Sequence, residues 1–308
     1  MSEKKTNKLA ATFKSQDTEE WLDIHFTRPL GLLWANFFNL FGTHPNVVTI
    51  LSILLGLGAG ICFYFTDFWT NLLGVGLLVW ANLYDSCDGQ LARMTGKKTR
   101  WGRILDGFAG DVWFFAIYVA ISLRLMPTWG PWIWVLTVVT GFIFHGKQCA
   151  LADYYRNIHL YFLKGKDGSE LDRSDRLTAE FQHLTWRRDG AWKLFLFFYR
   201  NYTRSQERLT PAFQRLRNAL AERFPKALPQ PLRDDFRAGS LPLMKWANIL
   251  TFNTRAIVLY IAVLVNEPWI YPVFEATVMN ALMLYMWRRH ENLCRRVQAN
   301  LDTYETAV

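Results

Sequence analysis

Apolar residues are concentrated in long blocks along this 308-residue chain, and most charged residues lie between the blocks or at the ends. A helix needs about 20 apolar residues to cross the hydrocarbon core of a bilayer. The blocks predict six membrane-spanning helices, at residues 46–65, 69–84, 112–126, 129–152, 246–265 and 269–287. The predicted fold class is therefore an all-α integral membrane protein with six transmembrane helices.

Two further segments have the character of surface helices. Residues 21–41 mix aromatic and polar side chains, which is typical of an amphipathic helix in the membrane interface. Residues 191–202 are apolar but too short to span, so we expect a surface or re-entrant helix that anchors its loop, with a functional lid as the alternative. The predicted organisation has six parts: a polar N-terminal tail (1–20), the interfacial helix (21–41), membrane helices one to four (42–155), a basic cytoplasmic insertion (156–245), membrane helices five and six (246–287) and a cytoplasmic tail (288–308).

Charge indicates how the chain is oriented. Residues 156–245 hold 18 of the 35 Lys and Arg and 10 acidic residues, so they supply +8 of the net charge of +9. The short connections at 66–68, 127–128 and 266–268 contain no Lys or Arg. By the positive-inside rule, both termini and the insertion are cytoplasmic, and the expected location is the cell (inner) membrane. Basic loops beside spans normally meet anionic lipid, so we expect no nucleic-acid partner.

Four aspartates lie at the ends of the second and third predicted spans, where an uncompensated charge is costly. Asp85 and Asp88 are three residues apart and share a helix face, and Asp106 can face them from the next helix. Converging carboxylates suit a hard divalent cation, most simply Mg²⁺ or Mn²⁺. The alternative is a charge belt in which these acids only pair with neighbouring arginines. By contrast, the four cysteines have no spacing that predicts a zinc site or a disulfide framework.

This acidic stretch resembles the signature of the CDP-alcohol phosphatidyltransferases, Asp-x2-Asp-Gly-x2-Ala-Arg-x8-Gly-x3-Asp-x3-Asp. The matching positions are Asp85, Asp88, Gly89, Ala92, Arg93, Gly102 and Asp106. Residues 44–49 also resemble the Pro-Asn-x-x-Thr segment of that family, and the six-span plan agrees with it. The resemblance covers roughly residues 23–155 and the last two spans, and it does not explain the basic insertion.

The resemblance implies metal-dependent transfer of a phosphatidyl group in phospholipid biosynthesis. The donor would be CDP-diacylglycerol or a related CDP-alcohol, a small alcohol would accept the group, and CMP would leave. The protein would be a homodimer. The implied metal ligands are Asp85, Asp88, Asp106 and a fourth Asp that is also the general base. The implied nucleotide and diphosphate contacts are Asn46, Thr49, Gly89, Ala92, Arg93 and Thr99.

The fourth acid departs from the signature. The family places it at position 110, but this chain has Gly110 followed by Asp111. On an ideal helix Asp111 lies about 140° round from Asp106. Three interpretations remain open: a one-residue π-bulge returns Asp111 to the cluster as ligand and base, another group or a water acts as base, or catalysis has been lost.

The acceptor is predicted from basic residues in and beside the fourth and fifth spans. Lys147, Arg156 and Arg255 suggest an anionic ligand, such as the phosphate of inositol phosphate or glycerol phosphate. This arrangement resembles the basic acceptor pocket of phosphatidylinositol-phosphate synthases. The alternative is that Lys147 and Arg255 extend to the headgroups or pair with Asp153 and Glu275.

Other functions compete with this hypothesis. Within the enzyme class, the acceptor could lack a phosphate, as serine, inositol and ethanolamine do, or the donor could be a CDP-linked small alcohol. Outside that class, a catalytically inactive lipid-binding membrane protein would be consistent with Gly110. A cation transporter could also use intramembrane carboxylates, but it would leave Gly89, Ala92 and Arg93 unexplained.

Overall fold

The computed structural model describes residues 15, 17–97, 99–165 and 169–305. The tail predicted for residues 1–20 lies mostly outside this part of the chain, as do the last three residues of the C-terminal tail. The described residues form helices and no strand, which confirms the all-α class. Four helical stretches among them are long and apolar enough to cross a membrane: Pro45–Tyr64, Ile104–Trp129, Trp132–Lys164 and Gln230–Leu264.

These four stretches contain or closely match the first, third, fourth and fifth predicted spans. The second and sixth predicted spans lie in helical sequence that continues into charged residues. Both of them, and the interfacial position of residues 21–41, stay predictions. The α-helices are numbered here in chain order: α1 (Arg28–Leu40), α2 (Pro45–Tyr64), α3 (Phe68–Thr95), α4 (Arg100–Trp129), α5 (Trp132–Val138), α6 (Gly146–Lys164), α7 (Ser174–His183), α8 (Trp186–Leu209), α9 (Pro211–Arg223), α10 (Gln230–Ile249), α11 (Phe252–Leu264), α12 (Ile270–Phe274), α13 (Asn280–Ala299) and α14 (Leu301–Glu305).

Within the part of the chain that the structure describes, three short segments are π-helical: Asp23–Thr27, Val139–His145 and Glu275–Met279. A π-bulge between Asp106 and Asp111 was one of three interpretations left open by the sequence. The structure does not contain it, because α4 is continuous α-helix from Arg100 to Trp129.

The described residues up to Gly146, together with Phe252–Thr277, form one compact unit, which contains the acidic stretch. Helices α2 and α3 of this unit begin at side-chain caps. The His44 ring accepts a hydrogen bond from the Asn46 amide at 3.2 Å at the start of α2, and Asp67 accepts one from the Thr70 amide at 2.9 Å at the start of α3. Helix α3 runs without a break to Thr95, so its polar carboxyl end continues the apolar part and carries the first two aspartates.

Helices α2 and α4 approach each other closely through glycine. A Cβ on Gly60 would lie 2.8 Å from the Cβ of Ala116, and one on Gly56 would lie 2.0 Å from the Trp113 ring. Helix α3 also packs against α2. The chain therefore holds the carboxyl end of α3 and the amino end of α4 beside the start of α2.

Residues 147–251 and 278–308 form the second compact unit, which includes the basic insertion. The insertion is largely helical, and its core contains the stacked rings of Phe162 and Phe236, whose centroids are 3.6 Å apart. Glu291 on α13 accepts a hydrogen bond from the Ala212 amide at 2.8 Å, at the amino end of α9. The apolar residues 191–202 belong to α8.

Candidate functional site

Three aspartates meet where α3 ends and α4 begins. Asp85 and Asp88 lie on consecutive turns of α3, and Asp106 lies on α4. One carboxylate oxygen from each residue lies within 4.8 Å of the other two. Asp88 is buried, Asp85 is half-buried and Asp106 is exposed, so the cluster opens on the Asp106 side. The structure therefore brings together the three acids that the spacing predicted would converge.

The donor set fits a divalent metal ion. Three carboxylates at this separation offer the oxygen ligands that Mg²⁺ and Mn²⁺ prefer. Asp88 is only 3 % exposed, and a buried carboxylate needs a compensating positive charge or strong hydrogen bonds. The Thr49 hydroxyl donates a hydrogen bond to Asp88, which supplies part of that compensation and fixes the orientation of the carboxylate.

Thr49 and Thr99 each form a hydrogen bond within the protein that their spacing did not predict. Both were predicted to contact the nucleotide. In the structure Thr49 bonds Asp88, and the Thr99 side chain accepts a hydrogen bond from the Gly102 amide at 2.9 Å, which caps the amino end of α4. The preference for Thr at the position before a helix is the sequence signal that could have found this cap.

Asn46 lies against the same cap. A Cβ on Gly102 would lie 2.9 Å from Asn46 Oδ1 and 3.1 Å from Thr99 Oγ1. A larger residue at position 102 would require these two polar side chains to shift away from α4. The structure thus explains the glycine of the signature and places Asn46 and Thr99 together.

The remaining signature residues of α3 are also adjacent. The Arg93 guanidinium folds back over the preceding turn, where a Cβ on Gly89 would lie 3.5 Å from Arg93 Nη1. Arg93 is exposed and Ala92 is half-buried. A cation is therefore available within one turn of the Asp88 carboxylate.

Asp111 lies outside the carboxylate cluster. Because α4 contains no π-bulge, Asp111 keeps the angular offset of an ordinary α-helix, and its side chain is exposed. The group of acids within 4.8 Å comprises Asp85, Asp88 and Asp106. A metal-binding or general-base role for Asp111 stays a prediction, and the π-bulge no longer supports it.

The predicted acceptor residues have different surroundings. Lys147 is exposed. The Arg156 Nε donates a hydrogen bond to Asn248 Oδ1 at 2.9 Å. Arg255 is fully buried and forms an ion pair with Glu275, which was the alternative left open for it.

The Arg255–Glu275 pair belongs to a buried polar cluster in the first unit. His145 Nδ1 lies 3.0 Å from both Glu275 Oε1 and Arg255 Nη1. The hydroxyls of Tyr118 and Tyr271 both donate to Glu275, the latter at 2.9 Å. The sequence indicated the Arg255–Glu275 pair only by placing one basic and one acidic residue in two different apolar blocks. Nothing in the sequence identified the two tyrosines.

The region that contains the aspartate cluster is similar in sequence to known proteins. Residues 42–160 match the family model of the CDP-alcohol phosphatidyltransferases. The chain is 32% identical over 97 residues to the bifunctional IPC transferase and DIPP synthase of Aquifex aeolicus, covering 32% of this chain and 22% of that protein. It is also 32% identical over 108 residues to the archaetidylinositol phosphate synthase of Pyrococcus horikoshii, covering 35% of this chain and 55% of that one.

A third relative is the CDP-diacylglycerol–glycerol-3-phosphate 3-phosphatidyltransferase of Cereibacter sphaeroides. It is 29% identical over 102 residues, which are 32% of this chain and 44% of the relative. The chain therefore spans between about a fifth and just over half of the length of these proteins. The matched region contains all three clustered aspartates, Arg93 and the Asn46–Gly102 contact. Residues 42–160 of this chain thus match the model of the family whose signature the aspartate spacing resembles.

Proposed function

We propose that the protein transfers a phosphatidyl group from CDP-diacylglycerol, or a related CDP-alcohol, to a small alcohol during phospholipid biosynthesis. The observation that carries the proposal is the cluster of Asp85, Asp88 and Asp106 inside the family-matched region. The acceptor oxygen forms a bond to the β-phosphorus, the bond from that phosphorus to CMP breaks, and the hydroxyl proton passes to a base.

The residues of this chain have distinct parts in that reaction. Asp85, Asp88 and Asp106 would hold Mg²⁺ or Mn²⁺, which when bound neutralises the charge of the diphosphate. Thr49 keeps the Asp88 carboxylate in position. Arg93 binds the diphosphate from the adjacent turn. Asn46, Thr99 and the small residues Gly89 and Ala92 accommodate the nucleotide beside the start of α4.

For the acceptor we propose a phosphorylated polyol, such as inositol phosphate or glycerol phosphate. The support comes from two relatives, whose names include inositol phosphate and glycerol-3-phosphate. Arg156 and Lys147 are the proposed phosphate contacts. Arg255 is a weaker candidate than the sequence suggested, because its charge is already matched by Glu275.

The test measures CMP release from CDP-diacylglycerol in the presence of Mg²⁺. The candidate acceptors, assayed one at a time, are glycerol 3-phosphate, inositol phosphate, serine, inositol and ethanolamine. Asp106→Asn should abolish CMP release and weaken Mn²⁺ binding measured by electron paramagnetic resonance. The matched control is Asp67→Asn, at the opposite end of α3, where asparagine can also cap the helix. Normal turnover by the Asp106→Asn protein would refute the proposed metal centre.

A second candidate is an inactive lipid-binding member of the family, and the position of Asp111 outside the cluster favours it. The same assay separates the two functions. Asp111→Asn should slow turnover by about 10²- to 10⁴-fold if Asp111 is the base. A near-normal rate assigns the base to another group. Tight Mn²⁺ binding, without CMP release from CDP-diacylglycerol in the presence of any acceptor, would favour the inactive protein.

We also propose that the aspartate cluster and both termini face the cytoplasm of the cell (inner) membrane, and that the protein is a homodimer. Orientation is supported by the absence of Lys and Arg from residues 66–68, 127–128 and 266–268. A cysteine at position 128 should react with an impermeant reagent on intact cells, whereas one at position 94 should react only after permeabilisation. Chemical cross-linking in native membranes tests the dimer.

A further inference from the structure

Helix α8 of the basic insertion has one buried face, and its opposite face is exposed. Leu196, Thr203 and Gln206 are buried. The other face exposes four large side chains, Leu194, Phe197, Phe198 and Tyr202, which we name the α8 stripe. Their spacing of three and four residues keeps them on one side of the helix. Phe198 is 63 % exposed.

Helix α7 and the connection that follows it hold α8 in this orientation. The Trp192 indole donates a hydrogen bond to Glu180 at 3.1 Å, and the Lys193 ammonium donates one to the Leu184 carbonyl at 2.7 Å. Trp192 lies on the side of α8 away from the stripe, and Lys193 borders the stripe. These two hydrogen bonds therefore keep the α8 stripe on the outward side of the helix.

Positive charge surrounds the α8 stripe. Helix α8 contains six basic and two acidic residues, so its net charge is +4. Lys193 and Arg200 lie along one edge, each within 5 Å of the Phe181 ring centroid. Arg187 and Arg188 are exposed before the kink at Asp189. An apolar surface with a cationic border complements an anionic lipid surface.

The length of the apolar part also fits a surface position. Residues 191–202 form about 18 Å of helix, well short of the roughly 30 Å that a span requires. Aromatic side chains favour the depth of the headgroups, where Tyr202 can keep its hydroxyl in water. Pairing with a second copy of α8 would bring two net charges of +4 together, which opposes self-association.

We propose that α8 lies in the plane of an anionic phospholipid bilayer, with the α8 stripe inserted below the phosphates and the bordering Lys and Arg at the headgroups. The basic insertion is then a second membrane anchor for this chain, formed by an in-plane helix. This role does not depend on the proposed transferase activity.

The test uses the full chain in nanodiscs of phosphatidylcholine alone or mixed with phosphatidylglycerol. Spin labels are attached at Phe198→Cys, and at Ala221→Cys on α9 as an exposed control, with the four native cysteines replaced by alanine. In the anionic discs, a water-soluble nickel relaxer should reach position 198 several-fold less than position 221, and oxygen should reach it more. In the neutral discs this difference should shrink.

A charge variant checks the cationic border. Arg204 and Arg208 are two of the six basic residues of α8 and follow the α8 stripe on the same helix. Arg204→Gln with Arg208→Gln should raise nickel access at position 198 in the anionic discs. The matched pair Arg215→Gln with Arg295→Gln, on α9 and α13, should leave it unchanged. Equal nickel access at positions 198 and 221 in anionic discs would overturn the proposal. So would equal protection in both lipids, or protection in detergent that increases with protein concentration and so indicates a protein partner.

Discussion

At the scale of single residues, Thr49 shows how the site is held in shape. It follows the helix-starting Pro45 by one turn of α2, and its hydroxyl donates to Asp88 on α3. The bond joins the two parts of the sequence that carry the family resemblance. A residue predicted to contact the nucleotide thus orients a carboxylate of the proposed metal site. This role depends on the packing of α2 against α3 and cannot be obtained from spacing alone.

Replacing Thr49 by valine should weaken metal binding. Valine keeps the shape of threonine but leaves Asp88 without this donor, and loss of such a supporting hydrogen bond typically lowers metal affinity by about 10- to 100-fold. Mn²⁺ titration by electron paramagnetic resonance measures the change. Thr49→Ser keeps the hydroxyl and should bind nearly as the parent protein does. If Thr49→Val binds Mn²⁺ as tightly as the parent protein, the hydrogen bond from Thr49 to Asp88 does not contribute to metal binding.

His290 in the second unit should make stability depend on pH. Burial lowers the pKa of His290 to about 3, and its Nε2 has no hydrogen-bond partner. The pKa of an unfolded histidine is about 6.5, so between these values the unfolded chain binds a proton that the folded chain excludes. The free energy of unfolding contributed by this residue therefore falls as pH falls below about 6.5, by about 1.4 kcal/mol per pH unit.

His290→Phe keeps an aromatic ring against Tyr155 and removes the titrating group. The difference in unfolding free energy between pH 7.5 and about pH 5.5 should be smaller in the variant than in the parent, by roughly 1–1.5 kcal/mol. Chemical denaturation in one detergent at the two pH values measures this. His183→Phe, an exposed histidine on α7, serves as the control. An unchanged pH dependence in His290→Phe would contradict the prediction.

At the scale of helices, the sequence was most informative where apolar residues form long blocks. Residues 46–65 and 112–126 predicted much of α2 and the middle of α4, because a run of apolar residues has few ways to be buried in lipid other than as a helix. The π-helical segments Val139–His145 and Glu275–Met279 were not predicted. A π-helical segment depends on how neighbouring helices pack. In a short apolar stretch, the spacing of apolar and polar residues does not distinguish it from an α-helix.

The close approach of α2 and α4 gives a prediction at this scale. Gly60→Ala places a Cβ 2.8 Å from Ala116 Cβ and 3.1 Å from the Ala116 carbonyl carbon, so the helix backbones must separate. Overpacking of this kind costs about 1–3 kcal/mol. A lower thermal unfolding midpoint in detergent is expected. Gly76→Ala on α3 meets nothing within 4 Å and should be neutral or stabilising. Equal midpoints for the two variants would contradict the close contact.

At the scale of the whole molecule, Glu275 joins distant parts of the chain. It receives hydrogen bonds or ion pairs from α4, α11, α12 and the end of a π-segment, through Tyr118, Arg255, Tyr271 and His145. The partners are separated by up to 157 positions in the sequence. The charges could be noticed in the sequence, but their pairing depends on how four segments fold together.

Glu275→Gln distinguishes a structural from an acceptor-binding role for Arg255. If the pair is structural, the substitution leaves Arg255 buried and uncompensated, which should cost about 3–5 kcal/mol of unfolding free energy. Glu275→Gln combined with Arg255→Met should recover much of that loss, because no charge is then buried alone. Glu267→Gln, an exposed acid before α12, should change stability little. If Arg255 instead binds the acceptor phosphate, Glu275→Gln should leave the unfolding midpoint intact and shift the KM for phosphorylated acceptors.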